Sequence, residues 1–263
     1  MNLKFETLKV KEYEKNILLI TLNRPEVRNA INLLMIDELF ELWQFIFKNP
    51  NTFRCVILSG AGNAFCAGAD LKERNNITLP KWKMQLSLLR KAIKKILQCP
   101  IPVISAVNGA AYGGGLEIIL ASDFAYAANT AIFAQSEVKL GIMPGALGTQ
   151  HLPRACGLRR AKELAFTAQS FTAIQALDWG IINKICEPNH LLSEVLTTAQ
   201  TICANAPLAI QQVKKSLNAT QQYNLTSGYD FELKSYHRLL KTKDREEGIK
   251  AFNEKRKPYF IGK

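Results

Sequence analysis

Residues 108–117 read Asn-Gly-Ala-Ala-Tyr-Gly-Gly-Gly-Leu-Glu and directly follow the apolar run VISAV at 103–107. The run predicts a buried strand, and the segment after it predicts a loop of small residues and a helix to about Ser122. Three glycines cost a helix about 1 kcal/mol each relative to alanine. Their use here is to expose unpaired N–H groups at the helix start, which stabilise negative charge. Glu117 then lies within the first turn, near any anion bound there.

The same alternation of strand, small-residue loop and helix occurs on the N-terminal side. Residues 17–22 predict a first strand, with an upstream strand as its candidate partner, and residues 32–48 predict a helix with Asn32 as its N-cap. Residues 55–60 predict another buried strand, and residues 81–98 an amphipathic helix. This order indicates an α/β fold in which helices cover a largely parallel sheet, or a spiral of ββα units.

The pattern becomes helical after about residue 195, with helices expected at 196–205, at 209–222 and twice more before residue 257. We therefore predict two parts: a core over residues 1–195 and a helical C-terminal segment over residues 196–263. The apolar faces of that segment suggest self-association.

Composition bounds the class of protein. The chain has 263 residues, 48% of them hydrophobic, without an apolar run of the roughly 18 residues that a membrane helix needs. The first six residues resemble neither a signal nor a transit peptide, so a cytoplasmic location is expected. Six cysteines are scattered singly and three histidines form no ligand motif, so reduced thiols and no metal site are predicted.

The net charge of +12 has two interpretations. It can be a solvated basic surface, or some of it can bind a ligand that carries phosphate. Nucleotide motifs are absent: there is no GxxxxGK[ST], and Gly60-Ala61-Gly62 lacks the third glycine of a dinucleotide fingerprint. A ligand that carries phosphate would therefore be bound without either of these nucleotide-binding motifs.

Two glutamates are candidates for acid/base chemistry. Glu117 alone could be a helix-start carboxylate favoured by the helix dipole. Glu137 lies 20 residues further on, in a passage from a strand into a loop among small and apolar residues. A second carboxylate in the same cleft would suit paired acid/base work. The spacing by itself does not establish that the two side chains converge.

Several segments together resemble the crotonase, or enoyl-CoA hydratase/isomerase, superfamily. They are FCAGADLKE (65–73), NGAAYGGGLE (108–117), SEVKLGIMPGALGTQ (136–150), LPRACGLRRAKEL (152–164) and KDREEGIKAFNEKRKP (243–258). The resemblance implies the crotonase fold, a spiral of ββα units with a helical C-terminal segment. The chain is most similar to enoyl-CoA hydratases. ADLKER and the C-terminal tail also resemble a methylglutaconyl-CoA hydratase that binds AU-rich RNA.

The resemblance implies an activity and roles for four residues. The N–H groups of Ala69 and Gly114 would form an oxyanion hole for a thioester carbonyl, beside the catalytic pair Glu117 and Glu137. The expected reaction is addition of water to the 2,3 double bond of an unsaturated acyl-CoA. Enoyl-CoA isomerisation and methylglutaconyl-CoA hydration are the alternatives. Isomerases often lack one of the two carboxylates, so the pair favours hydration.

Coenzyme A would enter as part of the substrate, with no separate cofactor. By the resemblance, eight residues are predicted to bind the acyl-CoA: Arg24, Arg28, Ala67, Asp70, Leu71, Lys72, Tyr236 and Lys255. The basic and aromatic residues among them could equally be exposed or packing residues. Pro144, Gly145 and Leu147 are expected to shape the acyl pocket. Leu147 and His151 replace a glycine and an arginine common in the family, and Leu147 is expected to narrow the pocket or shift a loop.

The sequence also bears on RNA binding, on a noncatalytic role and on assembly. The helix over 33–48 carries Asp37, Glu38 and Glu41, where the RNA-binding relative is lysine-rich, so specific RNA binding is not predicted. A noncatalytic CoA-binding scaffold remains an alternative. Asp123 is interpreted as structural. The resemblance alone implies a homotrimer or a dimer of trimers, and the natural acyl group stays open.

Overall fold

The protein is described by a computed structural model over residues 4–263, and Met1, Asn2 and Leu3 lie outside the described residues. Its strands are β1 (Leu8–Tyr13), β2 (Ile17–Leu22), β3 (Cys55–Gly60), β4 (Ala64–Cys66), β5 (Val103–Val107), β6 (Ala110–Tyr112), β7 (Phe124–Ala128), β8 (Ile132–Ala134), β9 (Phe171–Thr172) and β10 (Lys184–Cys186). Its helices are α1 (Leu33–Lys48), α2 (Leu71–Arg74), α3 (Leu79–Gln98), α4 (Gly114–Ala121), α5 (Gly148–Cys156), α6 (Leu158–Thr167), α7 (Ala173–Asp178), α8 (Leu191–Cys203), α9 (Pro207–Ala219), α10 (Leu225–His237) and α11 (Lys243–Asn253).

The strands form two sheets. The larger has the order β1-β2-β3-β5-β7-β10, and the smaller has the order β4-β6-β8-β9. β1 is antiparallel to β2 and β8 to β9, whereas the remaining pairs are parallel. β3, β5 and β7 each lie in the large sheet, and the strand after each lies in the small one. This repeated step, followed by helices, is the predicted spiral of ββα units.

The central strands β2, β3 and β5 of the large sheet are buried on both faces, as their continuous apolar runs require. Leu18, Ile20 and Val56 on one face join a core that includes α1, α3 and α4. Ile17 and Ile57 on the other face pack with residues of α8. The predicted strands at 17–22, 55–60 and 103–107 are confirmed with these bounds, and β1 is the upstream partner of the first.

Helix ends follow local chemistry. Asn32 caps α1 as predicted, because its Oδ1 accepts a 3.0 Å hydrogen bond from the Met35 N–H. α3 begins at Leu79, two residues before the predicted start, with Thr78 as its N-cap and Pro80 in its first turn. Within residues 4–263, no helix is both long and apolar enough to cross a membrane.

The C-terminal part is helical from α8 onward. α8 packs on the large sheet through Leu191, Val195 and Ala199, so the predicted boundary after residue 195 falls inside a helix that belongs to the sheet's own core. α9 is tied to the core by Lys214, whose Nζ donates to Asp123 Oδ2 at 2.7 Å and to the Ile101 carbonyl at 2.9 Å. Asp123 therefore has the structural role expected of it.

Candidate active site

The Ala69 amide is positioned by a short backbone pairing. The Ile31 N–H donates to the Gly68 carbonyl at 2.8 Å, and the Asp70 N–H donates to the Ile31 carbonyl at 2.9 Å. These two bonds fix the chain on either side of Ala69. The Ala69 N–H itself donates to no other residue among those described. The Ala69 N–H is therefore fixed in position and is available to donate a hydrogen bond to a ligand.

The second free amide belongs to Gly114, the first residue of α4. An N–H at this position has no acceptor within its own helix, and Gly114 donates to none of the other described residues. A Cβ built on Gly68 would lie 3.5 Å from the Gly114 nitrogen and 2.7 Å from the Tyr112 carbonyl oxygen. Gly68, with φ +90°, thus lets the segment before Ala69 approach Gly114 closely. The two amides predicted to form an oxyanion hole are neighbours.

Glu117 is the fourth residue of α4 and only 3% exposed. Its Oε1 accepts hydrogen bonds from the Ala146 N–H at 2.8 Å and the Gly148 N–H at 2.7 Å. Burial raises the pKa of Glu117 to about 7, against the effect of the Gly148 and Ala146 amides, and the nearby charge of Glu137 raises it further. A carboxyl group with this pKa can give or take a proton near neutral pH.

Glu137 opens the short 3-10 helix Glu137–Leu140 that follows β8. A Cβ built on Gly113 would lie only 3.1 Å from Glu137 Oε1, so this carboxylate rests against the residue before Gly114. Gly113 has φ +50°, a region that favours glycine. Both glutamates and both free amides therefore share one site, as the resemblance implies.

Gln135 is a site residue that sequence reasoning missed. Its Nε2 donates to Glu137 Oε1 and Oε2 at 2.9 and 3.0 Å. Its buried Oε1 has no hydrogen-bond partner among the described residues, and it lies 3.1 Å from the point where a Gly148 Cβ would be. The same point is 2.8 Å from Glu117 Oε1, so Gln135 stands between the two glutamates. The sequence signal that could have indicated Gln135 is its side-chain amide two residues before the candidate acid Glu137.

A cavity of about 630 Å³ joins these groups. One wall is a face of α3 with Trp82, Leu86, Leu89 and Arg90, and the lining also includes the loop at 142–146. Residues predicted for the site that line this cavity are Ala67, Ala69, Leu71, Gly114, Glu117, Glu137, Pro144 and Gly145. The lining is mostly apolar with a few convergent polar groups, which is typical of a small-molecule site.

Arg24 and Asp70 lie beside the cavity rather than on its wall. Arg24 Nη1 pairs with Asp70 Oδ2 at 2.8 Å and also donates to the Ala30 carbonyl. Asp70 Oδ1 accepts from the Lys72 and Glu73 amides and so caps α2. The pair fixes the loop that carries Ala69, which is a positioning role.

Arg28 and Lys72 have exposed side chains that do not line the cavity. Arg28 contributes through its backbone, because its carbonyl accepts from the Ala67 N–H at 2.9 Å. Contact of either side chain with coenzyme A stays a prediction.

Leu147, which is expected to narrow the acyl pocket, does not line the cavity that holds the glutamates. Leu147 precedes α5 with φ +83° and faces a second cavity, shared with His151 and Lys94, rather than the one that holds the glutamates. Its neighbours Ala146 and Gly148 supply the amides that bind Glu117. A leucine in this conformation is strained, and a shift of the loop by Leu147, the other effect expected of it, stays a prediction.

Tyr236 and Lys255 are far along the C-terminal helices. Tyr236 is 61% exposed and lines a separate groove between α9 and α10, and Lys255 is exposed just after α11. The chain does not bring either residue to its own cavity. A contact made across a subunit boundary, as the resemblance implies, stays a prediction.

Comparisons with known proteins agree with this fold and identify the family. Residues 12–263 match the family model described as enoyl-CoA hydratase/isomerase. The putative enoyl-CoA hydratase/isomerase YngF of Bacillus subtilis is 41% identical over 94% of this chain and 95% of its own length. The short-chain-enoyl-CoA hydratase of Clostridium acetobutylicum is 38% identical, covering 94% and 95%. The crystal structure of enoyl-CoA hydratase from Bacillus anthracis superimposes with a TM-score of 0.96 at 37% identity, over 98% of this chain and 100% of that one.

The fold and the site thus define an enzyme of the crotonase superfamily. Within that superfamily the chain belongs to the enoyl-CoA hydratase/isomerase family, and an acyl-CoA thioester fits as its substrate.

Proposed function

We propose that this enzyme adds water across the 2,3 double bond of an unsaturated acyl-CoA to give a 3-hydroxyacyl-CoA. The observation that carries the proposal is the set of two carboxylates, Glu117 and Glu137, beside two free backbone amides in one cavity. An isomerase needs only one group to move a proton, whereas addition of water needs a group for the water and a proton source for C2.

The free amides suit the charge that develops during this reaction. Attack of water at C3 moves electron density to the thioester oxygen, giving an enolate. Donors already aimed at that oxygen, from Ala69 and Gly114, stabilise the enolate without reorganisation, by on the order of 3 kcal/mol for each donor. The N-terminus of α4 adds a favourable dipole.

The glutamates divide the proton transfers. Glu117 accepts a proton from the attacking water as its oxygen bonds to C3, and Glu137 delivers a proton to C2. The step requires one shared proton, which is on Glu137 when water attacks and on Glu117 afterwards, and its return to Glu137 resets the pair. The raised pKa of Glu117 makes it a stronger base than an ordinary carboxylate near neutral pH.

Binding of the coenzyme A portion is proposed for the exposed basic residues near the cavity mouth. Lys72 and Arg28 are close in sequence to lining residues, and Tyr236 and Lys255 would reach the ligand from another subunit. Support for assembly comes from large apolar side chains exposed on the C-terminal helices: Val213, Leu217, Leu225, Leu233, Ile249 and Phe252. A homotrimer or a dimer of trimers, and a cytoplasmic location, are part of this proposal.

The test is product identity with crotonyl-CoA in ¹⁸O-labelled water. We expect loss of the enone absorbance and a 3-hydroxybutyryl-CoA that carries one ¹⁸O atom by mass spectrometry. 3-Hexenoyl-CoA serves as the isomerase substrate in parallel. Double-bond migration in 3-hexenoyl-CoA, with no hydration of any 2-enoyl-CoA, would establish an isomerase instead.

Replacing Gly148 with Ala should disturb Glu117 directly. The new Cβ would lie 2.8 Å from Glu117 Oε1 and 3.0 Å from its Cγ, so the carboxylate must move. Because a shift of about 1 Å in a reacting group can cost about 100-fold, we expect hydration kcat to fall by about 10- to 100-fold.

Gly228→Ala is the matched control, since a Cβ at Gly228 in α10 meets nothing within 4 Å. It should leave kcat unchanged and stabilise its helix by up to about 1 kcal/mol. Equal kcat values for Gly148→Ala and wild type would mean that the position of Glu117 does not govern the rate.

A further inference from the structure

Arg74 is a half-buried arginine in the wall of the catalytic cavity, at the end of α2. Its guanidinium lies over the ring of Trp82, 4.9 Å from the ring centroid, and Trp82 lines the same cavity. Within residues 4–263, its guanidinium makes no hydrogen bond and no ion pair. The cavity therefore contains a stacked cation without a counter-ion.

The nearest carboxylate does not fill that role. Glu73 precedes Arg74, but its oxygens accept from the Leu33 N–H at 3.0 and 3.2 Å and from Gln85 Nε2 at 3.3 Å. Burial lowers the pKa of Arg74 in spite of the Glu73 charge. Removing a charged group from water is unfavourable unless an opposite charge pairs with it, so Arg74 is suited to an anion that arrives with the ligand.

The position of Trp82 along α3 indicates which part of the ligand contacts Arg74. Trp82, Leu86 and Leu89 share one helix face at spacings of four and three. Leu86 contacts Gly145, next to the Ala146 amide that holds Glu117, so this end of the face lies beside the reacting double bond. Trp82 is one turn further along, about 6 Å at 1.5 Å per residue. Carboxylate oxygens three bonds beyond C3 lie about 3.7 Å from C3, and a hydrogen bond of about 2.8 Å to a guanidinium brings the span to a comparable distance.

We propose that Arg74 binds a carboxylate at the far end of the acyl group, and that the enzyme's preferred substrates are CoA thioesters of unsaturated dicarboxylic acids. The proposal rests on the hydratase function given above and specifies the substrate class of the same site. Arginine suits this task because its planar fork can bind both carboxylate oxygens while it stays stacked on Trp82.

The test compares two acyl-CoA substrates that differ only at the chain end. 4-Carboxybut-2-enoyl-CoA carries the carboxylate, and 5-methylhex-2-enoyl-CoA places two methyl groups where the carboxylate oxygens would be. Wild type should show the higher kcat/KM with the carboxylate substrate. In Arg74→Met we expect the ratio of the two kcat/KM values to fall by about 10- to 100-fold, the range of a hydrogen bond to a charged group. Arg74→Lys should fall between them, since it keeps the charge and loses the fork.

Arg159→Met is the matched control, because Arg159 is exposed on α6 and does not line the cavity. It removes the same charge and should leave the ratio unchanged. A measurement independent of any variant is inhibition of wild-type crotonyl-CoA hydration by glutaryl-CoA, which should exceed inhibition by 5-methylhexanoyl-CoA.

The outcomes separate this proposal from the hydratase function. If Arg74→Met weakens both substrates equally, Arg74 binds a phosphate of coenzyme A and the proposal is overturned. Equal inhibition of wild type by the two saturated thioesters overturns it as well. In either case hydration of crotonyl-CoA would still stand. Failure of wild type to hydrate any enoyl-CoA would instead remove the hydratase function.

Discussion

Glu137→Gln should lower kcat for enoyl-CoA hydration by about 10³-fold, within the range for loss of a general acid or base, and change binding of a CoA thioester by less than about threefold. The amide has nearly the shape of the carboxyl group it replaces but cannot deliver a proton to C2. The oxyanion donors and the apolar wall are untouched, so the ligand still has its main contacts.

Turnover is measured with crotonyl-CoA at saturation, and binding by calorimetry with butyryl-CoA, which cannot react. Glu41→Gln is a suitable control, because Glu41 is an exposed acid on α1 outside the cavity. Unchanged turnover in Glu137→Gln would contradict the proposed role of Glu137. Loss of binding together with turnover would point to a structural role for this carboxylate.

Much of the fold could be predicted because its signals are local. Buried parallel strands are continuous apolar runs, as at 103–107, and an asparagine cap marks the start of α1. α8 was the exception. Its apolar face resembles those of the helices that follow it, and the sequence alone does not tell that Leu191 and Val195 pack on the sheet.

The spacing of residues along the sequence does not predict the contacts that assemble the site. The register of β6 on β8 pairs Tyr112 with Ala134, and the Gly113 N–H donates to the Ala134 carbonyl at 2.9 Å. This pairing brings Gly114 and Glu137 together across 23 residues of chain. The residues alone made both glutamates candidates, but only the resemblance implied that their side chains converge.

Leu147 and Arg74 show the two limits of prediction by resemblance. Leu147 replaces a glycine common in the family, but the loop turns at Leu147 itself, and its side chain lines the second cavity. Arg74 carried no predicted role, because an arginine at the end of a four-residue helix has no local signal. Its significance comes from Trp82, which a different helix supplies.

Glu117→Gln should stabilise the protein at alkaline pH while it lowers kcat. The pKa of Glu117 is about 7 in the folded protein and 4.5 in the reference state, so the folded state binds the proton more tightly. As pH rises from 4.5 through 7, the unfolded state has already lost this proton and the folded state must lose it too. Wild-type stability therefore falls over that window, by about 3 kcal/mol in total at 1.36 kcal/mol per pKa unit.

The glutamine removes this loss, because it stays neutral and its oxygen can still accept from the Ala146 and Gly148 amides. In urea unfolding at fixed protein concentration, the variant should match wild type near pH 4.5 and exceed it by about 3 kcal/mol at pH 8. Glu41→Gln should show no such difference. kcat should fall by about 10²- to 10⁴-fold, so the residue that destabilises the fold would be the one that activates the water. A variant no more stable than wild type at pH 8 would mean that Glu117 is not held near neutrality in the fold, and its assignment as the base would lose its physical ground.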